Sequence, residues 1–322
     1  MEQFAIAVDL GGTNLRVATV SESGEILERV SLATHREQGR DAVIGEMASA
    51  VRALSSKQQG GRKLAGIGIG VPGIIYRETG LLRKSPNLPG WENYPVRAEI
   101  ERLVESHVYL ENDANVAALG EKWLGCGKDV ESLCMITLGT GVGGGLVLDG
   151  EIWHGFLGFG AELGHVVVAE NGVACPCGGQ GCLETESSAT AVVRKAKEAL
   201  AGKKTPALAE AVAGGAELTS KLVCDVARKG DTACLEIFRS QGRYLGIALA
   251  GFVNSLNLPL YVIGGGGAAA WDLFSPAMME ELSRRSYVFR EGSTRIEQSA
   301  LGGDAGLCGA ARLAFSGAES SL

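Results

Sequence analysis

Three cysteines and a histidine lie close together near the middle of the chain, in a spacing typical of a metal site. Cys175, Cys177 and Cys182 fall within eight residues, and His165 lies ten residues before the first of them. Three thiols and one imidazole form a recognised tetrahedral zinc set. A Cys-x-Cys pair is a poor redox motif, and a disulfide framework is disfavoured in a reducing compartment. The sequence therefore predicts one structural Zn²⁺.

Two carboxylates flank this set, Glu162 before the histidine and Glu184 after the last cysteine. If one imidazole nitrogen of His165 binds the metal, the other nitrogen remains available to a ligand. Two carboxylates and an imidazole edge held at fixed distances suit the hydroxyl groups of a sugar. The segment therefore indicates sugar binding as well as metal binding.

The pair Asn112–Asp113 is a second candidate site, because it ends an apolar strand and precedes a helix. Both residue types are common helix N-caps, so a purely structural role is an open alternative. An acid at the carboxyl end of a strand is also where α/β enzymes place ligands and bases. In that role Asp113 accepts a proton from a hydroxyl group while Asn112 orients it.

Two turns rich in glycine and threonine each join a pair of apolar strands. The first turn contains Gly11, Gly12 and Thr13, and the second contains Gly139, Thr140 and Gly141. The first turn lacks the P-loop spacing and leads into a strand rather than a helix, which excludes the two common nucleotide motifs. Backbone amides at glycines and a threonine hydroxyl would grip a polyphosphate; simple hairpin turns are the alternative. Asp9, just before the first turn, would hold Mg²⁺ directly or through water.

Four consecutive glycines follow an apolar strand late in the chain, at Gly264, Gly265, Gly266 and Gly267. Without side chains they would leave a bare surface on which an adenosine can lie, and a flexible loop is the alternative.

The elements that must position these residues alternate between strands and helices, which indicates an α/β fold. Strand–turn–strand units at residues 4–20 and 133–148 form an internal repeat and predict two related halves. The other predicted strands lie at residues 64–73, 108–112 and 260–263, and the predicted helices at residues 41–55, 96–105, 187–200, 219–254 and 302–314.

Length and charge limit the possible functions. The 322 residues fit two domains. We place a small α/β domain at residues 1–117 plus a C-terminal helix at 303–322, and a large domain at residues 118–302. The net charge of −7 and the absence of a basic patch argue against a nucleic-acid partner. No secretion signal or long apolar stretch is evident, so we expect no membrane association and a cytoplasmic location.

These motifs together resemble those of the ROK family, which contains bacterial sugar kinases and related repressors. The resemblance covers residues 4–310 and implies an actin-like, hexokinase-type (ribonuclease H-like) two-domain fold with an interdomain cleft. It implies that the glycine turns bind ATP phosphates and that Asp113 is the general base. The sugar would be held by residues from several motifs: Gly73, Asn87, Asn112, Asp113, Glu162, His165 and Glu184.

Within that family the motifs most resemble the ATP-dependent glucokinase branch of glycolysis. Family repressors carry a DNA-binding region before the first strand, which here begins at Phe4, so the kinase branch is favoured. We therefore expect phosphorylation of D-glucose at the 6-hydroxyl, with ATP and Mg²⁺, by a homodimer. A kinase for N-acetylmannosamine, fructose or mannose, and a non-catalytic sugar-sensing regulator, are the alternatives.

Overall fold

The structure is a computed structural model that describes residues 2–58, 61–85 and 87–320. In these ranges the strands are β1 (Gln3–Leu10), β2 (Asn14–Ser21), β3 (Ile26–Ala33), β4 (Lys63–Val71), β5 (Ile74–Tyr76), β6 (Leu81–Lys84), β7 (Val108–Asn112), β8 (Leu133–Leu138), β9 (Val142–Leu148), β10 (Glu151–Ile152), β11 (Leu260–Gly264) and β12 (Arg295–Gln298). The α-helices are α1 (Arg40–Gln58), α2 (Val96–Val104), α3 (Asp113–Leu124), α4 (Leu183–Ser187), α5 (Ala189–Ala201), α6 (Pro206–Ala213), α7 (Ser220–Arg228), α8 (Thr232–Leu256), α9 (Trp271–Arg285), α10 (Tyr287–Glu291) and α11 (Ala305–Ser320).

The chain divides into two compact units. Unit one contains Met1–Met135, Gly145–Ala161 and Ala300–Leu322, and unit two contains Ile136–Gly144 and Glu162–Ser299. Within the described ranges, no helix combines the length and the apolar character needed to cross a membrane.

The first sheet, in unit one, has the strand order β3-β2-β1-β4-β7. Strand β1 alternates large and small side chains, because successive residues of a strand point to opposite faces. Phe4, Ile6 and Val8 belong to a core cluster that includes residues of α1 and α2. Burial of one such side chain contributes about 1.5–3 kcal/mol relative to exposure.

The opposite face of the first sheet carries small residues because helix α11 lies close to it. Ala5 and Ala7 of β1 pack with Ala310 and Ala314 of this helix. In β4 the approach is closer still, since a Cβ on Gly68 would lie only 1.8 Å from the Ala310 carbonyl oxygen. The glycines of β4 are therefore packing residues.

The second sheet has the order β10-β9-β8-β11-β12. Each sheet begins with three strands that are consecutive in sequence, β1 to β3 in the first sheet and β8 to β10 in the second. In each sheet two later strands extend the sheet beside the first of these three, β4 and β7 beside β1, and β11 and β12 beside β8. The strand order therefore confirms the internal repeat predicted from the two hairpins.

The segment 219–254 of unit two, predicted to be mostly helical, is helical with one break. Residues 219–254 form two helices, α7 and α8. Gly230 between them has φ +97°, which glycine adopts without strain, and Asp231 caps α8 by accepting a hydrogen bond from the Cys234 amide at 2.9 Å. The other predicted helices appear with shifted ends, whereas the following elements were not predicted: β3, β5, β6, β10, β12, α4, α6, α9 and α10.

Candidate active site

The candidate residues of unit one gather where three parallel strands end. Strand β4 runs parallel to both β1 and β7, so the carboxyl ends of all three share one edge of the first sheet. The register pairs Asp9 with Gly70 and Val71 with Asn112 at this edge. The sheet therefore brings Asp9, Asn112 and Asp113 to the edge at which α/β sheets bind ligands.

Asn112 is the N-cap of helix α3. Its Oδ1 accepts hydrogen bonds from the amides of Ala114 at 2.9 Å and Asn115 at 3.2 Å, and its Nδ2 donates to the Gly73 carbonyl at 3.2 Å. A cap of this kind stabilises a helix by about 1 kcal/mol. Asn112 is therefore a helix N-cap, as the structural alternative predicted. Among the described residues, one N–H of its Nδ2 group has no acceptor. Asp113 begins the helix itself, and its Oδ1 accepts a hydrogen bond from the Ala114 amide at 2.9 Å.

Two further predicted sugar residues have close neighbours in the same unit. Gly73 has φ +118°, and a Cβ there would lie 2.3 Å from the Lys84 carbonyl oxygen, so the position requires glycine. A Cβ on Gly12 would lie 3.1 Å from the Cβ and the carbonyl oxygen of Asn87. The first glycine turn therefore lies against Asn87, and Gly73 contacts Asn112. Pro86, in the same predicted loop, lies outside the described residues.

A buried carboxylate lies directly before this pair. The side chain of Glu111 is 4% exposed, and its Oε1 accepts hydrogen bonds from the Asn112 amide at 2.9 Å and Asn115 Nδ2 at 3.0 Å. Its Oε2 lies 2.7 Å from His154 Nε2 and 3.6 Å from Arg77 Nε. Burial alone would raise the pKa of Glu111, but the hydrogen bonds from His154, Asn115 and the Asn112 amide outweigh it and lower the pKa. The carboxylate is therefore ionised near neutral pH.

The first glycine turn is held through its carbonyl groups. Thr34 donates its hydroxyl to the Gly11 carbonyl at 2.7 Å and its amide to the Thr13 carbonyl at 2.9 Å. The Gly11 amide donates to the Asn14 carbonyl at 2.8 Å. In the described part of the chain the amides of Gly12 and Thr13 have no acceptor, so they remain available to an anion.

Asp9 precedes this turn, and its carboxylate is largely buried. Oδ2 pairs with the guanidinium group of Arg16, while Oδ1 has no donor among the described residues. The carboxylate thus keeps one oxygen for a hydrated cation and has a positive neighbour that offsets its charge.

The second glycine turn is held in a similar way, in unit two. The hydroxyl of Thr190 donates to the Thr140 carbonyl at 2.7 Å, and the Ala189 amide donates to the Gly139 carbonyl at 2.9 Å. As far as the described residues extend, the amides of Thr140 and Gly141 have no acceptor. In both turns, therefore, residues from outside the hairpin bind the carbonyl groups and leave amides available.

The four glycines at the end of β11 divide into two kinds. A Cβ on Gly265 would lie 2.5 Å from the Leu138 carbonyl oxygen, and one on Gly267 would lie 2.8 Å from the Leu138 Cβ. These two glycines therefore allow close packing on the strand that leads into the second turn. Gly266, in contrast, has no atom of another described part of the chain within 4 Å of its Cβ position.

The predicted metal ligands lie together in unit two. The four ligand atoms of His165, Cys175, Cys177 and Cys182 are all within 4.8 Å of one another. Cys177 Sγ lies 3.7 Å from Cys182 Sγ, and Cys175 Sγ lies 3.7 Å from His165 Nδ1. A tetrahedral zinc site with ordinary bond lengths has edges of about 3.8 Å between sulfurs and about 3.6 Å between sulfur and nitrogen. The residues therefore fit a Zn²⁺ ion, and the sulfur distance is too long for a disulfide bond.

The electrostatics of this cluster also favour a cation. Burial raises the pKa of the Cys182 thiol to about 12, and the neighbouring thiols of Cys175 and Cys177 add to the shift. Thiolates packed this closely repel one another, so a divalent cation between them provides the charge that lets them ionise.

The predicted sugar residues of unit two adjoin the cluster and the second turn. His165 directs Nδ1 towards Cys175, and its Nε2 lies 3.9 Å from Glu162 Oε2. Burial raises the pKa of Glu162, and the negative charge of Glu184 contributes to that shift. Glu184 Oε2 accepts a hydrogen bond from the Val142 amide at 2.9 Å. The structure therefore joins Glu184 directly to the strand that follows the second turn.

Five residues that hydrogen-bond to the candidate site residues or to one another were not predicted: Thr34, Arg77, Glu111, His154 and Thr190. A glutamate inside the apolar strand β7 was a usable signal, because strands of this kind rarely bury a charge without a partner. The other residues carried no local signal. Each contacts a partner far away in the sequence, for example 43 residues in the pair of His154 with Glu111.

Comparison with known proteins gives consistent matches. The sequence profile described as ROK family matches residues 5–316. The chain is 40% identical to a glucokinase from Thermotoga maritima, with 96% of each chain covered, and 36% identical to a glucokinase from Halalkalibacterium halodurans, with 96% of this chain and 94% of the relative covered. A crystal structure of a ROK family glucokinase from Streptomyces griseus, in complex with glucose and AMPPNP, superposes with a TM-score of 0.84 at 32% identity. That match covers 97% of this chain and 99% of the other.

Proposed function

The chain belongs to the ROK family and has the actin-like, hexokinase-type α/β fold of its structural relatives, and from that premise we propose that it is an ATP-dependent glucokinase. The reaction is transfer of the γ-phosphoryl group of ATP to the 6-hydroxyl of D-glucose. The observation that carries the proposal is the nearly full-length similarity to a glucokinase that binds glucose and an ATP analogue.

Asp113 is the general base in this proposal. It lies at the carboxyl edge of the first sheet, and Asn112 and the first turn of α3 fix the backbone on both sides of it. The carboxylate accepts the proton of the 6-hydroxyl as that oxygen attacks the γ-phosphorus, and the bond to the ADP oxygen breaks. Orientation of the hydroxyl accounts for much of the rate increase.

The two glycine turns bind the phosphates of ATP. Gly12 and Thr13 in the first turn, and Thr140 and Gly141 in the second, offer amides without an internal acceptor to phosphate oxygens. Gly264–Gly267 receive the adenosine, and Gly266 is the position with open space above it.

In this proposal glucose hydroxyls bind Asn112, which contacts Gly73, and Asn87, which lies against the first glycine turn, as well as polar groups of unit two. Glu162 and Glu184 are acceptors for hydroxyl groups, and His165 Nε2 points away from the metal cluster and is available to a ligand. The free N–H of Asn112 donates to a hydroxyl oxygen.

Two metal ions belong to the proposal. Asp9 fits Mg²⁺, because Oδ1 has no donor among the residues that the structure describes and a magnesium ion that retains most of its waters needs few protein ligands. When bound, Mg²⁺ offsets the negative charge of the phosphates. The four-residue cluster fits one structural Zn²⁺ per chain, which orders the loop that carries His165 and Glu184. The homodimer and the cytoplasmic location stay predictions from the sequence.

The direct test measures ADP release by the purified protein with Mg-ATP and a panel of sugars. Glucose, mannose, fructose, N-acetylglucosamine and N-acetylmannosamine are each titrated to obtain kcat/KM. We expect glucose to lead by about tenfold, which corresponds to about 1.4 kcal/mol of transition-state discrimination. A different leading sugar would leave the kinase chemistry and overturn the substrate. No ADP release with any sugar would overturn the kinase and favour a non-catalytic sugar-sensing regulator.

A further inference from the structure

Three polar side chains form a hydrogen-bonded chain that runs from the surface of unit one to the residue before Asp113. Arg77 is 51% exposed, and its Nη1 lies 3.2 Å from His154 Nδ1. His154 is largely buried, and its Nε2 lies 2.7 Å from Glu111 Oε2. No sequence motif pointed to Arg77 or His154. Their meaning for catalysis rests on the proposed role of Asp113.

The chemistry of the three groups fixes the direction of the chain. Arginine has only donors, so His154 Nδ1 must accept the hydrogen bond from Arg77. The proton of a neutral imidazole is then on Nε2, which donates it to Glu111. This hydrogen bond lowers the pKa of Glu111 and so favours its ionised form. Arg77 therefore donates a hydrogen bond to His154, and His154 donates one to Glu111.

The second oxygen of Glu111 connects this chain to the candidate base. Oε1 accepts from the amide of Asn112, directly before Asp113, and from the side chain of Asn115 in the first turn of α3. One carboxylate thus binds the backbone directly before Asp113 and the side chain of Asn115 after it. A catalytic group must be held within a fraction of an ångström of its productive position, and misplacement by 1 Å costs about 100-fold in rate.

We propose that His154, supported by Arg77, is a positioning residue for Asp113, because it orients the ionised Glu111 that fixes Asn112 and Asn115. Without its partners a carboxylate this deeply buried takes up a proton, since the interior disfavours an isolated charge. A protonated Glu111 is a weaker acceptor than the carboxylate, so its hydrogen bonds from Asn112 and Asn115 weaken. The base then loses its fixed position while its own chemistry is unchanged.

The test compares His154→Phe with His154→Gln in the full chain. Phenylalanine fills the space but removes the donor, whereas glutamine offers an Nε2–H at similar reach. We expect His154→Phe to lower kcat about tenfold with the KM for glucose changed less than about threefold, and His154→Gln to restore most of kcat. A kcat of His154→Phe equal to that of the native protein would overturn the inference, as would a glutamine variant that recovers nothing.

The pH profile separates positioning from a general loss of folded protein. Among the described residues, the charged or titratable groups within ion-pair distance of Glu111 are His154 and Arg77. In the native protein the pKa of Glu111 is lowered, so it stays ionised on mild acidification. Loss of the His154 donor raises this pKa, and the acidic limb of kcat is expected to move to higher pH. If the acidic limb of kcat lies at the same pH in His154→Phe as in the native protein, the inference is contradicted.

A matched control comes from a second histidine–glutamate pair in unit one. His107 Nδ1 lies 2.9 Å from Glu101 Oε1, but His107 is 64% exposed and precedes the amino end of β7, whereas Asp113 follows its carboxyl end. His107→Phe is expected to leave kcat and its pH profile unchanged. A similar loss in both variants would show that removal of any such pair weakens the protein and would overturn the specific role of His154.

Hydrogen exchange tests the same inference without turnover. The Asn112 amide donates to Glu111, so its exchange rate is expected to rise at least about tenfold in His154→Phe and to stay near native in His154→Gln. Unchanged protection of this amide overturns the inference. If the native protein releases no ADP with any sugar, the proposed function fails by that result, and the exchange measurement still decides whether His154 holds the segment around Asp113.

Discussion

The two regions proposed to bind glucose are organised by different means. In unit one, Asn112 and Asp113 lie between a strand and a helix, and their neighbours supply hydrogen bonds to nearly every polar group. In unit two, the segment from His165 to Glu184 has little regular structure beyond isolated bridges such as Val167 with Cys182, and it exposes Val167 to solvent. Four ligand atoms around a common centre take the place of a hydrophobic core there.

The two regions differ in the interactions that keep them ordered. Regular backbone at a strand end carries its own donors and acceptors, so unit one holds Asp113 without any added ion. A short irregular segment cannot bury enough apolar surface to offset its loss of conformational entropy, and a bound metal supplies the missing free energy. We therefore expect the base to be insensitive to metal removal and the sugar-binding loop to depend on it.

The largest expected effect is that of Asp113→Asn, which removes the base from the ordered region and leaves its shape intact. Loss of a general base costs about 10² to 10⁴ in kcat. Glucose affinity, measured by calorimetry, should remain near native because the hydrogen bonds of Asn112 and Gly73 remain. A variant with native turnover would show that Asp113 is only the first residue of a helix.

The next effect in size is that of zinc removal, tested with Cys177→Ser. Metal analysis of the native protein should give one zinc per chain. The variant should lose the metal and about tenfold to a hundredfold in glucose affinity, because His165 and Glu184 then lose their fixed positions. Hydrogen exchange at Asn112 should stay native. Cys126→Ser is the control, because this cysteine lies outside the cluster and serine can still donate to Glu121. Native glucose affinity in Cys177→Ser, or loss of order at Asn112, would contradict the contrast between the regions.

A smaller effect is expected where the two units use the same device, the threonines that bind turn carbonyls. Valine at Thr34 or Thr190 keeps the shape but removes the hydroxyl donor to Gly11 or Thr140. Loss of one hydrogen bond of about 1 kcal/mol should raise the KM for ATP about fivefold in each variant. Glucose affinity should not change, and serine at either position should restore the native KM. An unchanged KM for ATP would show that the turns keep their geometry without these bonds.

The same contrast explains what the sequence could reveal. The hairpins β1–β2 and β8–β9, the four metal ligands and the strand end at Asn112 are local patterns, and each was predicted. Strand β3 was missed because none of its eight residues is buried and three are exposed, and β12 has only four residues. The contacts of Thr34 with Gly11 and of Thr190 with Thr140 span 23 and 50 residues, so only the tertiary register brings them together. Local spacing therefore indicated the candidate metal ligands but not the residues that contact the segment around Asp113.

The smallest expected effect distinguishes packing glycines from ligand glycines after β11. Alanine at Gly266 meets no protein atom, so Gly266→Ala should leave the melting temperature unchanged and raise the KM for ATP about threefold if adenosine lies on this surface. Gly251→Ala is the control, because its Cβ position is equally open in helix α8 and is not assigned to any ligand. Alanine at Gly265, which has φ +76° and faces the Leu138 carbonyl, should instead lower stability by about 1–3 kcal/mol. A native KM for ATP in Gly266→Ala would show that adenosine does not bind at this surface. Packing against Leu138 would then be the role of Gly265 and Gly267.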